Sequence, residues 1–189
     1  SGVLARVSDA VTPQPVTAVV TMLHQQIEAI DADGLVVICA GLNDPGNAGT
    51  IVRSAAAAGA RAVVFCAGGV DAYNPKAVRA SAGGLFHIPL VIGPEPVAAV
   101  EVMAARGLIC LATGARGGRD HDRVDWTVPT ALVIGSESHG LPDRVGAAVG
   151  STVTIPMEPS SESLNAAMAA TVICFEAARQ RRHPVTGAA

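Results

Sequence analysis

Aromatic residues make up only 3% of this 189-residue chain, and Phe65, Tyr73, Phe86, Trp126 and Phe175 are scattered along it. Clustered stacking platforms for single-stranded nucleic acid are therefore missing. A basic balance is missing too, since 13 Lys and Arg stand against 16 Asp and Glu, a formal net charge of -3. Any contact with nucleic acid must come from a local patch, a second copy of the chain or a further segment. Cys39, Cys66, Cys110 and Cys174 each lie inside an apolar run, and no two share C-x-x-C spacing. Buried reduced thiols in a cytoplasmic protein explain them, and neither a zinc site nor a disulfide framework is indicated. The longest apolar stretches are broken by Arg61, Arg106 or glycine before they reach membrane-spanning length, so no membrane segment is expected. Neither G-x-x-x-x-G-K-[ST] nor G-x-G-x-x-G occurs, which leaves ATP and NAD chemistry without a fingerprint.

What the chain has is aliphatic and small: half of its residues are hydrophobic, with 20 Gly and 12 Pro. The length suits one substantial domain. Short apolar runs at Leu35–Ala40, Ala62–Cys66, Ile88–Ile92, Leu108–Ala112, Ala131–Ile134 and Val153–Ile155 predict buried parallel strands. Helical patterns fall between most of them, at Ala48–Ala58, Pro75–Ala82, Pro94–Ala105, Pro142–Val149 and Ser163–Arg182. The fold class is α/β, a mostly parallel sheet with helices on both faces. Residues 1–33 are read as an arm: a turn at Thr12–Pro15, then an amphipathic helix from Val16 to Ile30 with Val19, Leu23, Ile27 and Ile30 on one face. Residues 34–189 form the main domain. One connection, Gly114–Pro129, is polar, rich in Gly and Arg, and mostly not helical; loops of that length are usually functional or mobile.

Three strand ends carry polar clusters. After the first comes Asn43-Asp44-Pro45-Gly46-Asn47, a turn that opens a helix with Thr50 and Arg53 further along, expected on the same side as Asn47. After the fifth comes Gly135-Ser136-Glu137-Ser138-His139-Gly140, where Glu137 could accept hydrogen bonds from a ligand or hold Arg53, and glycine lets backbone come close to a ligand. The last runs from Ile155 through Pro156 and Met157 to Ser160, Ser161, Ser163 and Asn165, just before a long helix with Leu164, Met168, Val172 and Phe175 at helical spacing. A strand end that faces an opening helix is where α/β proteins bind ligands, although Ser161 or Ser163 would serve equally as a plain helix cap. Taken singly, Asn47 reads as a cap, Arg53 as a surface ion pair and the Glu137 turn as a solvated loop.

Taken in order, N-D-P-G-N-A-G-T-I-V-R-S-A (Asn43–Ala55), L-V-I-G-S-E-S-H-G-L-P (Leu132–Pro142) and I-P-M through S-L-N-A-A-M to F-E-A-A-R-Q (Ile155–Gln180), with N-P-K-A-V-R-A-S-A-G (Asn74–Gly83), resemble the SpoU (TrmH-like) family of RNA 2'-O-ribose methyltransferases in the SPOUT superfamily. The resemblance implies a C-terminal trefoil knot, a homodimer, RNA as substrate (ribosomal rather than transfer RNA) and S-adenosylmethionine as cofactor, with no metal. It implies cofactor contacts from Thr113, Gly114, Gly135, Ser136, Glu137, Ile155, Met157, Ser163, Leu164 and Asn165. It implies a catalytic group of Arg53, Asn47, Glu137, Ser163 and Asn165. An arginine keeps its proton at neutral pH, so for Arg53 the expected role is to orient a phosphate and stabilise a developing alkoxide. RNA contacts are expected from Arg53, Lys76, Arg79, Arg116, Arg119 and Arg123. The opening segment resembles the linker that follows a small RNA-binding domain in two-domain relatives. A catalytically silent RNA-binding or assembly module of the same fold is the alternative.

Overall fold

The computed structural model describes residue 16, residues 18–136 and residues 140–182. Among them, eight strands form one parallel sheet: β1 (His24–Gln25), β2 (Leu35–Cys39), β3 (Ala62–Phe65), β4 (Leu90–Ile92), β5 (Ile109–Thr113), β6 (Arg119–Asp120), β7 (Thr130–Ile134) and β8 (Thr152–Thr154). Five helices connect or follow them: α1 (Pro45–Ala57), α2 (Pro75–Ala80), α3 (Pro96–Ala105), α4 (Asp143–Val149) and α5 (Ala166–Arg182). The spatial order is β1-β4-β3-β2-β7-β5-β8-β6. The six strands expected from the sequence are present, with ends displaced by one or two residues.

Alternation along the central strands divides the core in two. Leu35, Val37 and Cys39 of β2, with Leu132 and Ile134 of β7, face Ile51 and Ala55 of α1, Ala77 of α2 and Ala170, Ile173 and Ala177 of α5. Val36, Ile38, Ala131 and Val133 face Val100 and Met103 of α3 and Val145 and Val149 of α4. Covered on both faces, these strands need to be apolar at every position, and that is why they read as continuous runs.

One expectation is corrected. Among the described residues of Val16–Ile30 there is no α-helix: Val19 is fully exposed, Leu23 is 40% exposed, and only Ile27 and Ile30 are buried, around a single 3-10 turn. His24–Gln25 instead pairs with Leu90–Val91 at the sheet edge, and Arg106 donates to the Ile27 and Ile30 carbonyls at 3.1 and 2.7 Å. A four-residue spacing of apolar groups fits a chain that dips into the core at two points as well as it fits a helix. The turn expected at Thr12–Pro15 lies outside the described residues.

Gly114–Pro129 has no α-helix, as expected, but it carries structure that the sequence did not suggest. It supplies β6, which pairs with β8, and then turns inward so that Trp126 is completely buried. The Trp126 indole N–H donates to the His121 carbonyl at 2.7 Å. Gln180 of α5 closes the arrangement, since its Oε1 accepts the Trp126 backbone N–H at 2.9 Å and its Nε2 donates to the Val124 carbonyl at 3.0 Å and to Glu176 at 2.8 Å. Arg179 first, and then Gln180, hold the Glu176 carboxyl below the usual carboxylate range. The last turns of α5 are thus fastened to the segment that follows β5. Gln180→Leu, close in size, would leave a buried N–H and a buried carbonyl without partners and should destabilise the protein by about 3 kcal/mol. A urea-denaturation midpoint unchanged from the wild type would show that the fastening contributes nothing.

Candidate active site

The three polar clusters lie at the C-terminal ends of β2, β7 and β8, on one edge of the sheet. Asp44 caps α1 by accepting the Asn47 backbone N–H at 2.9 Å, and Pro45 starts the helix at a position that needs no N–H. That hydrogen bond, and then the bond from Lys76 at 3.2 Å, hold the Asp44 carboxyl below its ordinary range. A lowered folded pKa means that the cap is intact at neutral pH and is lost as pH falls through the depressed value.

After β7, Ser136 and Gly140 exchange backbone hydrogen bonds of 2.9 and 3.0 Å. Gly135 is obligatory there, because a Cβ would stand 2.4 Å from the Gly140 carbonyl carbon. Glu137 and His139 lie outside the described residues. After β8, Pro156 ends the strand and the chain runs through Met157, Ser163 and Leu164 to α5. The helix begins at Ala166, later than the expected Ser163, and its cap is neither Ser161 nor Ser163. Asn165 caps it: its Oδ1 accepts the backbone N–H groups of Ala167 and Met168 at 3.0 and 3.2 Å. The Asn165 side-chain amide also donates to Asn47 Oδ1 at 3.1 Å, tying the start of α5 to the start of α1.

These exits enclose a cavity of about 220 Å³ lined by Thr113, Gly114, Gly135, Ser136, Ile155, Met157, Ser163 and Leu164, with Ile134, Val153, Ala169 and Ile173 deeper. The walls are apolar, and the hydroxyls of Thr113, Ser136 and Ser163 and the loop backbone supply the polar groups. Such walls accept a flat heterocycle, and such backbone can read its edge. Asn165 and Asn47 do not line the cavity, although Asn165 stands between two residues that do.

Arg53 does not line it either. At 3.6 residues per turn, six residues bring Arg53 about 120° away from Asn47 and about 9 Å along α1. It is exposed, makes no hydrogen bond or ion pair with the described residues, and lines a second hollow beside the turn that follows α2. Lys76, Arg79, Arg116, Arg119 and Arg123 are exposed, with Lys76 paired to Asp44 and Arg123 to Asp120. The four cysteines are buried and none is in a disulfide, and burial pushes the Cys66 and Cys174 thiols up to about 12, which disfavours the nucleophilic thiolate. Among the described residues no helix is long and apolar enough to cross a membrane, and no three His, Cys, Asp or Glu side chains gather as a metal site would need.

A three-layer parallel α/β sheet with an apolar cavity at its strand exits defines the class: an α/β protein that holds a small ligand outside the carboxyl ends of its strands. Comparison with known proteins narrows it. A profile of the SpoU rRNA Methylase family matches residues 34–175. A 23S rRNA (uridine(2479)-2'-O)-methyltransferase of Streptomyces viridochromogenes is 40% identical over 176 residues, 89% of this chain and 61% of that protein. A 23S rRNA (guanosine(2553)-2'-O)-methyltransferase of Bacillus subtilis is 32% identical over 169 residues, 89% of this chain and 66% of that protein. The crystal structure of the SpoU methyltransferase AviRb from Streptomyces viridochromogenes in complex with the cofactor AdoMet superposes with a TM-score of 0.75 at 41% identity, covering 82% of this chain and 63% of that one. The chain belongs to the SpoU rRNA methylase family, and it spans about three-fifths to two-thirds of the length of these relatives.

The shared role of Asn165 as cap and link is testable on stability alone. Asn165→Ala should lower stability by about 1 kcal/mol, the ordinary value of a lost cap. Asn165→Asp, which keeps the acceptor, should recover most of it, as read from thermal midpoints. Equal midpoints for the wild type and the alanine variant would remove the cap.

Proposed function

We propose that this chain is the catalytic portion of an S-adenosylmethionine-dependent methyltransferase acting on a ribose 2'-hydroxyl of RNA, ribosomal rather than transfer RNA. The observation that carries the reading is the convergence of Thr113–Gly114, Gly135–Ser136, Ile155–Met157 and Ser163–Leu164 on one cavity, in a chain of the SpoU family. Relatives named as 23S rRNA methyltransferases support the choice of RNA. The trefoil knot is part of the proposal, supported by β8 lying between the earlier strands β5 and β6.

The cavity fits the cofactor chemically. Ile155, Met157 and Leu164 provide walls for adenine, and the backbone at Gly114, Gly135 and Ser136 provides donors and acceptors. When bound, S-adenosylmethionine supplies a methyl group on a positively charged sulfur. The chain's own task is to align the ribose oxygen and ease the loss of its proton. Asn47 and Asn165, hydrogen-bonded to each other, are proposed to hold the ribose. Arg53, which does not line this cavity, is proposed to stabilise negative charge on the ribose oxygen and the adjoining phosphate. Glu137 and Ser163 complete the proposed catalytic group.

The active form is proposed to be a homodimer in the cytoplasm. Met168, Val172 and Phe175 form an apolar stripe on the outer face of α5, each 40 to 55% exposed. The sequence pattern marked that stripe, yet the face turned to the core is the one bearing Ala167, Ala170, Ile173, Cys174 and Ala177. A second copy of the chain is the occupant the proposal assigns to it.

Arg53→Ala should abolish methyl transfer to RNA while calorimetry still detects S-adenosylmethionine binding at wild-type affinity. Ordinary turnover by that variant would take Arg53 out of the mechanism. Phe175→Glu should shift sedimentation from dimer to monomer; a dimer that survives the charge would move the interface elsewhere.

A further inference from the structure

The start of α1 is held by an unbroken chain of polar contacts that begins on α2. The Lys76 ammonium donates to Asp44 Oδ2 at 3.2 Å. The other carboxylate oxygen of Asp44 accepts the Asn47 backbone N–H at 2.9 Å. Asn47 Oδ1 in turn accepts the Asn165 side-chain amide at 3.1 Å, and Asn165 caps α5. Three helices are thereby joined at their starts through Lys76, Asp44, Asn47 and Asn165.

The surrounding backbone is arranged to bring Lys76 to Asp44. Asn74 Oδ1 accepts the Lys76 backbone N–H at 2.9 Å, with Pro75 between them, which fixes the lysine in the first turn of α2. Gly49 lets α2 lie against α1, since a Cβ there would stand 2.2 Å from the Ala77 carbonyl oxygen. Gly46 leaves the passage for the lysine stem: a Cβ there would stand 3.3 Å from Lys76 Cε and 2.7 Å from Asp44 Oδ1. The two side chains are 59% and 46% exposed, so the ion pair contributes little to stability. What it fixes is orientation. A carboxylate with one oxygen on a backbone N–H and the other on an ammonium cannot turn without losing a charge-assisted hydrogen bond.

We propose that Lys76 and Asp44 are positioning residues, which hold the first turn of α1 so that Asn47 meets Asn165 in the arrangement used on the substrate ribose. The proposal rests on the reading of the chain as an RNA ribose methyltransferase, and it gives Lys76 a role in the framework of the site in place of the expected contact with RNA. The test uses the full chain with S-adenosylmethionine and an unmodified 23S rRNA transcript. It compares Lys76→Met, Lys76→Arg, Asp44→Asn and the double variant of Lys76→Met with Asp44→Asn. Lys76→Met should lower kcat about fivefold, the upper range for an exposed ion pair, with KM for the transcript and S-adenosylmethionine affinity within about twofold. Lys76→Arg should restore kcat. Asp44→Asn keeps an acceptor for the cap and loses the charge, so it should lower kcat to the same extent, and the double variant should be no worse than either single one. The salt dependence of transcript binding should keep its wild-type slope in Lys76→Met, where loss of a phosphate contact would reduce it by about one. Independently of activity, the Asn165 side-chain amide protons, followed by NMR, should exchange with solvent faster in Lys76→Met than in the wild type. A raised KM with a shallower salt slope would make Lys76 an RNA contact, multiplied losses in the double variant would uncouple the pair, and an unchanged kcat would leave a surface ion pair; each would overturn the proposal. A wild type that transfers no methyl to the transcript would instead overturn the methyl-transfer reading. Faster amide exchange in Lys76→Met would then still support the linked chain, and unchanged exchange would overturn it.

Discussion

The site depends on α5 lying directly against α1. Small residues make the close approach possible: Ala167, Ala170, Cys174 and Ala177 of α5 share one buried cluster with Ala48, Ile51 and Ala55 of α1. Two polar links fix how the helices sit. Asn165 reaches Asn47 at one end, and Ser54 Oγ lies 2.7 Å from Thr171 Oγ1 further along. Neither link is strong by itself, but each fixes the register of an interface whose side chains are too small to interlock. Through them the chain that leaves β8 is held over the exits of β5 and β7, and a cavity forms where three loops would otherwise be independent.

Gln180 secures the other end of the same helix. By joining Val124 and Trp126 it anchors the long segment after β5, whose first residues are a cavity wall. The helix is therefore held at its start by a cap that is also a bridge, and near its end by a buried amide. The apolar cavity and the hollow lined by Arg53 have no lining residue in common.

Much of this was legible in the sequence, for identifiable reasons. Strands buried on both faces leave unbroken apolar runs, and Leu35–Cys39 or Thr130–Ile134 can hardly be misread. The cavity-lining loops were named from the family resemblance; periodicity alone offered a helix cap and a solvated turn. What escaped was nonlocal. β6 has only Arg119 and Asp120, and its strand character comes from pairing with Val153 and Thr154. Trp126 sits in a polar stretch and is buried by a glutamine 54 residues later. In α5, two stripes of similar spacing compete, and the choice of the alanine side over Met168, Val172 and Phe175 follows from how closely α1 must approach.

The central claim is that the strand-exit cavity holds the methyl donor, and a crystal structure of the protein soaked with S-adenosylmethionine tests it most directly. The account predicts density for the donor enclosed by Thr113, Gly135, Ile155, Met157 and Leu164, with α1 and α5 still joined through Asn47 and Asn165. Density for the donor at any other place on the protein, with that cavity filled only by solvent, would contradict it.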